Sequence, residues 1–294
     1  MAETRPSIGL IGVGLMGLPM SLRLLERGYA VTVLDEERTK LGPALAQGAR
    51  EARAPAEVAR ASEVVLVCVT GTEAVEEVVF GPGGVHEAAT PDKLLVDHST
   101  TDAGATRRLA ARLAQASGMA WIDAPMSGGP PAAEAGALTI MAGGAAQDID
   151  RVRPLMAELA GHFTHIGPTG AGQVAKMINQ IIVLTNFCVL AEALKLAENA
   201  GIDAARIPEA LAGGYADGAM LQKHYPRMLA RAFEPPGGYA RVVLKDLDMV
   251  HDLAKATGTA TPMSSQAATL YRLMVARGHG HLDGTAVLKL WDQD

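Results

Sequence analysis

Cysteine is scarce in this chain, a surplus of positive charge is missing, and no uninterrupted apolar run is long enough for a membrane span. Two cysteines in 294 residues cannot build a disulfide framework. Both, Cys68 in VVLVCV and Cys188 in NFCVLAEAL, lie in apolar surroundings where a thiol acts as a small buried hydrophobe. A reducing compartment is expected. Lys and Arg number 26 against 32 Asp and Glu, a net charge of -6 with no basic block, so nucleic acid and anionic membrane surfaces are excluded as expected partners. The N-terminal MAETRPSIGLIGVGLMG lacks the cationic stretch, apolar core and small-residue cleavage site of a signal peptide, which makes a cytoplasmic location the expectation. The apolar run at 181–196 is broken by Asn186 and Glu192, too short and too polar to span a bilayer and better suited to a buried helix. His162, His165, His224, His251, His279 and His281 form no metal-ligand pattern, and no catalytic metal is expected.

What is present is globular: 49% hydrophobic and 20% charged residues, at a length that suits two domains of ordinary size. Residues 7–11 form an apolar run ending in glycines, 15–26 follow with helical spacing, Gly28 stops them, and 30–34 resume β-type residues. The alternation continues with strands at 64–69, 94–97 and 120–123 and helices at 55–60, 73–79 and 101–115. Strands at 138–142 and 162–166, with a helix at 148–159 between them, complete the sheet. This is the pattern of a parallel, doubly wound α/β domain, since each crossover helix covers one face of the sheet. After Gly167-Pro168 the texture changes. From 172 to 199 there is neither proline nor any further glycine after the first residue, a rod of roughly 40 Å at the helical rise. Residues 1–166 are therefore expected to form a Rossmann doubly wound sheet, and 167–294 an all-α domain built on a long interdomain helix.

Four constellations carry chemistry. Gly12-Val-Gly14-Leu-Met-Gly17 sits between the first strand and the first helix, where glycines allow a tight turn and close approach of a pyrophosphate to a helix N-terminus. Asp35, 18 positions after Gly17, ends the second strand, as a ribose-binding carboxylate that repels a 2′-phosphate or as an ordinary turn residue. Asp123-Ala-Pro-Met-Ser127-Gly128-Gly129 follows a strand, and its amides and serine hydroxyl suit a carboxylate or simply a turn. Lys176 and Asn179, three apart on the long helix, share a face beside very apolar residues. Either they face a cleft or the lysine reaches out to solvent.

Taken together, GLIGVGLMGLPM, DHSTTDAG, DAPMSGG with TIMAGG, GPTGAGQVAKMIN and Leu244-Lys245-Asp246-Leu247 resemble the β-hydroxyacid dehydrogenases, the 3-hydroxyisobutyrate dehydrogenase-like family, over essentially the whole chain. The similarity is greatest to tartronate semialdehyde reductases and threonate-type dehydrogenases. The resemblance implies a nicotinamide-dependent oxidoreductase acting on a small hydroxyacid or semialdehyde acid, with Lys176 as general acid/base. It also implies that Ser127, Gly128, Gly129 and Asn179 hold substrate. Gly12, Gly14, Leu15, Met16 and Gly17 would line the pyrophosphate, Val69, Thr70 and Thr100 would contact the cofactor further along, and Lys245 would close over it. NAD is the expected cofactor, with NADP as the alternative.

The chain departs from that pattern at Val69-Thr70, more often Leu-Pro, and at His98, more often Met. Gly213-Gly-Tyr-Ala-Asp-Gly218 is similar to a Gly-Gly-Phe-Ala-Asp-Ser segment of the tartronate and threonate subgroup, with glycine in place of serine. A 3-hydroxyisobutyrate or other C4 sugar-acid dehydrogenase is the alternative substrate assignment. A non-catalytic cofactor-binding protein and an imine reductase are the alternative classes, and Lys176 speaks against both. Apolar residues on several sides of the long helix, Ile181, Ile182, Val183, Leu184 and Phe187, predict a homodimer or homotetramer.

Overall fold

The computed structural model describes residues 5–292. In chain order the elements are β1 (Ile8–Ile11), α1 (Gly17–Glu26), β2 (Val31–Leu34), α2 (Gly42–Ala46), β3 (Arg50–Glu51), α3 (Pro55–Ala61), β4 (Val64–Val67), α4 (Thr72–Phe80), β5 (Leu94–Asp97), α5 (Ala103–Ser117), β6 (Ala120–Asp123), β7 (Met126–Ser127), α6 (Gly129–Ala135), β8 (Leu138–Gly143), α7 (Ala146–Leu159), β9 (Ala160–Gly167), α8 (Ala171–Asn199), α9 (Ile207–Ala210), α10 (Ala219–Leu229), α11 (Ala240–Thr257) and α12 (Pro262–Ala276). The chain divides into two compact units, one ending at Lys176 and the other beginning at Met177.

In the first unit the sheet runs β3-β2-β1-β4-β5-β6 with every neighbouring pair parallel. The central strands are apolar on both faces because helices cover both. Leu10, Val33, Leu66 and Val96 pack with Met20 and Leu24 of α1 and Leu155 of α7. Val65, Val67 and Leu95 pack with Val58, Val75 and Leu113 of α3, α4 and α5. This is the doubly wound architecture read from the sequence.

The sheet is not parallel throughout, because β8 runs antiparallel to β6 and β7. The pairs Asp123↔Gly143, Met126↔Ile140 and Ser127↔Thr139 keep one register, so β7 continues the ladder of β6 past Pro125. The 10 residues between Ser127 and Leu138 include only the short α6 and fall below the dozen or so that a parallel crossover requires. The longer α7 then makes such a crossover, and β9 pairs parallel to β8. Smaller shifts have local causes. β4 stops at Val67, and Val69 turns to the Ser99 hydroxyl instead. α5 starts at Ala103 because the Asp102 carboxylate caps it, accepting from the Ala105 amide at 2.6 Å.

The second unit is helical. Leu184, Phe187, Ala191 and Leu194 of α8 pack with Tyr225 of α10, Leu247 of α11 and Tyr271 of α12, whose hydroxyl donates to the Gly284 carbonyl at 2.7 Å. At 29 residues, α8 runs well beyond the apolar stretch at 181–196 and is long and apolar enough, by length and composition alone, to cross a membrane. One side of it nevertheless forms the spine of this core, while Ile178, Ile182, Val189 and Leu196 are exposed.

Candidate functional site

The glycine-rich turn in the first unit divides its glycines by space. A Cβ on Gly12 would strike the Cys68 carbonyl, and one on Gly17 would strike the Gly12 carbonyl, so both positions are needed for strand and helix to approach. Gly14 differs. A Cβ there would meet no atom within 4 Å, which leaves open the side from which a pyrophosphate approaches the backbone. The first turn of α1 has neither a side-chain cap nor an acidic residue, so its N–H groups favour an anion. Leu15 is exposed and Met16 half-buried beside them. These residues fit a dinucleotide.

Asp35 is 9% exposed and tied to this turn, Oδ2 accepting from the Val13 amide at 2.8 Å and Oδ1 from the Glu37 amide at 2.9 Å. It borders a cleft of about 400 Å³ with Leu34, Glu36, Arg38, Ala52 and Arg53. Arg38 faces Glu51, pairing with its carboxylate at 2.6 Å.

At the carboxyl ends of β4, β5 and β6 a buried polar cluster holds the loops that carry the remaining predicted residues. The Val69 amide donates to Ser99 Oγ at 3.0 Å, and the Ser99 amide donates to Asp97 Oδ1 at 2.9 Å. Gln173, fully buried in the first turn of α8, accepts from the Thr101 amide at 3.1 Å and donates to the Ser99 carbonyl at 2.8 Å, bracketing half-buried Thr100. Thr70 lies exposed next to Val69. Asp123 caps α8 from β6, taking the Gly170 amide at 2.6 Å and the Gln173 amide at 2.9 Å. Burial pushes its carboxyl up to about 6 against these hydrogen bonds, which pull it down. Next to Asp97, His98 donates through Nδ1 to the Ala124 carbonyl at 2.7 Å, and burial drives its imidazole down to about 4.

One turn beyond Gln173, Lys176 is 8% exposed, and its Nζ donates to the Met126 carbonyl at 2.8 Å. The lysine therefore turns inward and does not extend to solvent. Met126 is the residue before Ser127, so the Lys176 ammonium is held at the residue that leads into the Ser127-Gly128-Gly129 segment. Gly128 and Gly129 adopt φ of 129° and 71°, a backbone that suits glycine.

In the second unit Asn179 and Lys245 are joined through residues that the sequence reading did not single out. Asn179 Nδ2 donates to Gln180 Oε1 at 2.9 Å, Gln180 Nε2 donates to Asp246 Oδ2, and Lys245 Nζ pairs with Asp246 Oδ1 at 3.1 Å. Asp246 lies within the Leu244–Leu247 segment that carries the resemblance, and Gln180 only adjoins a predicted residue. The 213–218 loop is organised by Asp217, which accepts from the amides of Gly213 and Gly218, both at 2.8 Å, and leaves Tyr215 fully exposed.

Residues 7–167 match the NAD binding domain of 6-phosphogluconate dehydrogenase, and residues 170–291 match the NAD-binding region of NADP-dependent 3-hydroxyisobutyrate dehydrogenase. The 2-hydroxy-3-oxopropionate reductase of Escherichia coli is 36% identical over 96% of each chain. The NAD-dependent L-serine dehydrogenase of Pseudomonas aeruginosa is 33% identical over 97% of each. Among solved structures, the 3-hydroxyisobutyrate dehydrogenase of Mycobacterium tuberculosis with L-serine is 30% identical, with a TM-score of 0.87 over 99% of this chain and 100% of that one. With both halves matched in order and full-length relatives above 30% identity, the chain belongs to the 3-hydroxyisobutyrate dehydrogenase family of NAD-binding oxidoreductases acting on CH–OH groups.

Proposed function

We propose that this protein interconverts a short semialdehyde acid and its hydroxyacid, tartronate semialdehyde and glycerate or a threonate-like C4 pair first, with Lys176 moving the proton. The observation that carries this reading is the inward-turned ammonium of Lys176, 2.8 Å from the carbonyl of Met126 and so next in chain to Ser127. The Ser127 hydroxyl and the amides of Gly128 and Gly129 hold the substrate carboxylate, while Asn179 orients the reacting oxygen. Gly12, Gly14, Leu15, Met16 and Gly17 hold the pyrophosphate, Asp35 the ribose, Val69, Thr70 and Thr100 the more distant part of the cofactor, and Lys245 covers it. When bound, the nicotinamide supplies or takes up the hydride.

Lys176 donates a proton to the carbonyl oxygen in reduction and withdraws it from the hydroxyl in oxidation. Without that transfer an alkoxide would be left in poorly solvated surroundings, and a positioned acid contributes about 10²- to 10⁴-fold in rate. The substrate class rests on the 213–217 segment and on relatives named for such acids, the Escherichia coli reductase and the L-threonate dehydrogenase of Cupriavidus necator. The test is an initial-rate screen of C3 and C4 hydroxyacids and semialdehydes with both cofactors, followed by Lys176→Ala on the best substrate. That variant should lose at least about a hundredfold in kcat and still bind NADH. A folded variant with near-native kcat would overturn the role of Lys176. A strong preference for 3-hydroxyisobutyrate over every polyhydroxy acid would overturn the substrate class.

A further inference from the structure

Gln180 and Asp246 have no place in the reaction described so far, yet both polar side chains are buried, at 7% and 4% exposure. Each is bonded on both sides. Asp246 forms an ion pair with Lys245 through Oδ1, an oxygen with no hydrogen-bond donor among the described residues, and accepts from Gln180 through Oδ2, while Gln180 accepts from Asn179 through Oε1. The chain Lys245, Asp246, Gln180, Asn179 links two pairs of consecutive residues, one on α11 and one on α8.

The polarity of this chain runs one way. An ionised carboxylate only accepts, so Gln180 must turn its NH₂ toward Asp246. Its carbonyl oxygen then faces away and must receive a donor, which fixes the Asn179 NH₂ toward Gln180. The Asn179 carbonyl oxygen Oδ1 is left as the acceptor. An asparagine without such a neighbour has two amide orientations of similar shape and opposite hydrogen-bonding sense.

We infer that Gln180 is a positioning residue that transmits the charge of Asp246 into a single amide orientation of Asn179, presenting Oδ1 as an acceptor for a hydroxyl of the substrate. This rests on Asn179 holding substrate, as proposed above. It favours acids with a hydroxyl donor at that point and ties the same orientation to Lys245, the residue assigned to the cofactor.

The test compares Gln180→Leu, Gln180→Glu and Asn179→Ala in the full-length protein, with D-glycerate and L-threonate as probes. Gln180→Leu should raise KM about tenfold to a hundredfold, the range for a lost hydrogen bond to a buried charged network, with kcat changed much less. Gln180→Glu is the diagnostic variant. Its protonated carboxyl can donate O–H to Asp246 and accept from Asn179, as the glutamine does, whereas its ionised form repels Asp246. Its KM defect should therefore be large at high pH and shrink as pH falls, relative to wild type at each pH. An activity-free readout is the side-chain amide ¹⁵N–¹H signal of Asn179, identified by its loss in Asn179→Ala. It should shift in Gln180→Leu, and in Gln180→Glu it should return toward the wild-type position as pH falls.

The outcomes separate the two ideas. If Asn179→Ala leaves KM unchanged while the Asn179 signal behaves as expected, the substrate role of Asn179 fails, and with it the functional half of the inference. If Asn179→Ala raises KM but Gln180→Leu matches wild type in KM and in the Asn179 signal, the relay is overturned. A pH-independent defect in Gln180→Glu would reduce Gln180 to packing and overturn it as well.

Discussion

Replacing His98 by Met should remove an acid-sensitive element from the first unit. The imidazole is 3% exposed, and burial holds it down at about 4 where an ordinary histidine titrates near 6.5. Between those values the unfolded chain takes up a proton that the native chain refuses, so stability is lost as pH falls through this window. At about 1.4 kcal/mol per pH unit the gap corresponds to about 3 kcal/mol, most of it expended by pH 4.5. Asp123 works in the opposite sense. Its native carboxyl, pushed up to about 6 from 3.8, keeps a proton that the unfolded chain releases, so its contribution is present at low pH and is lost as pH rises through 6. The wild-type curve therefore mixes two opposed effects, and only the difference between variant and wild type isolates His98. At pH 7.5 the substitution should cost little, because the lost bond to Ala124, worth about 1 kcal/mol, is offset by removing Nε2, buried without a partner among the described residues. Urea unfolding of both proteins at pH 7.5 and 4.5 measures the difference. A Trp291→Phe background leaves Trp121 of β6 as the reporter of the first unit. His98→Met should gain roughly 2 to 3 kcal/mol on wild type between the two pH values. Parallel pH dependences of the two proteins would refute the reasoning.

Two further expectations concern cofactor and assembly. NAD should be preferred to NADP by about tenfold or more in kcat/KM if Asp35, held by the amides of Val13 and Glu37, accepts from the ribose as proposed, while Arg38 is engaged by Glu51. Asp35→Ala should erase most of that preference, and wild-type kcat/KM equal or better with NADP would contradict it. The exposed stripe of α8, Ile178, Ile182, Val189 and Leu196, should be covered in a homodimer or homotetramer. Light scattering at micromolar concentration should report more than one chain, and Ile182→Glu should shift the population toward monomer. A wild-type monomer would reject this.

Much of the architecture was legible because it depends on local rules. A buried parallel strand must be apolar on both faces, and a turn that admits a helix packed against its own strand must carry glycine at Gly12 and Gly17. Both requirements are written in consecutive residues. The Lys176 and Asn179 spacing belonged to the same legible class, although whether the lysine turned inward or outward did not. The long helix and its apolar residues on several sides were also readable, but not which side the domain covers: Leu184 and Phe187 fold into the core of the second unit. Ile178, Val189 and Leu196 stay outside with Ile182.

The amino-acid sequence by itself determined the order of strands and helices in the first unit, the glycine-rich turn and the family, since periodicity and glycine placement act over a few residues. The tertiary structure decided the reversal at β8 and the identity of the polar partners. Asp123 caps a helix 47 residues away, Gln173 grips a loop 74 residues back, and Gln180 meets Asp246 across 66. Hydrophobic patterning specifies which side of an element is buried. It carries no record of which buried donor will meet which acceptor, because that depends on distances set only when the whole chain has packed.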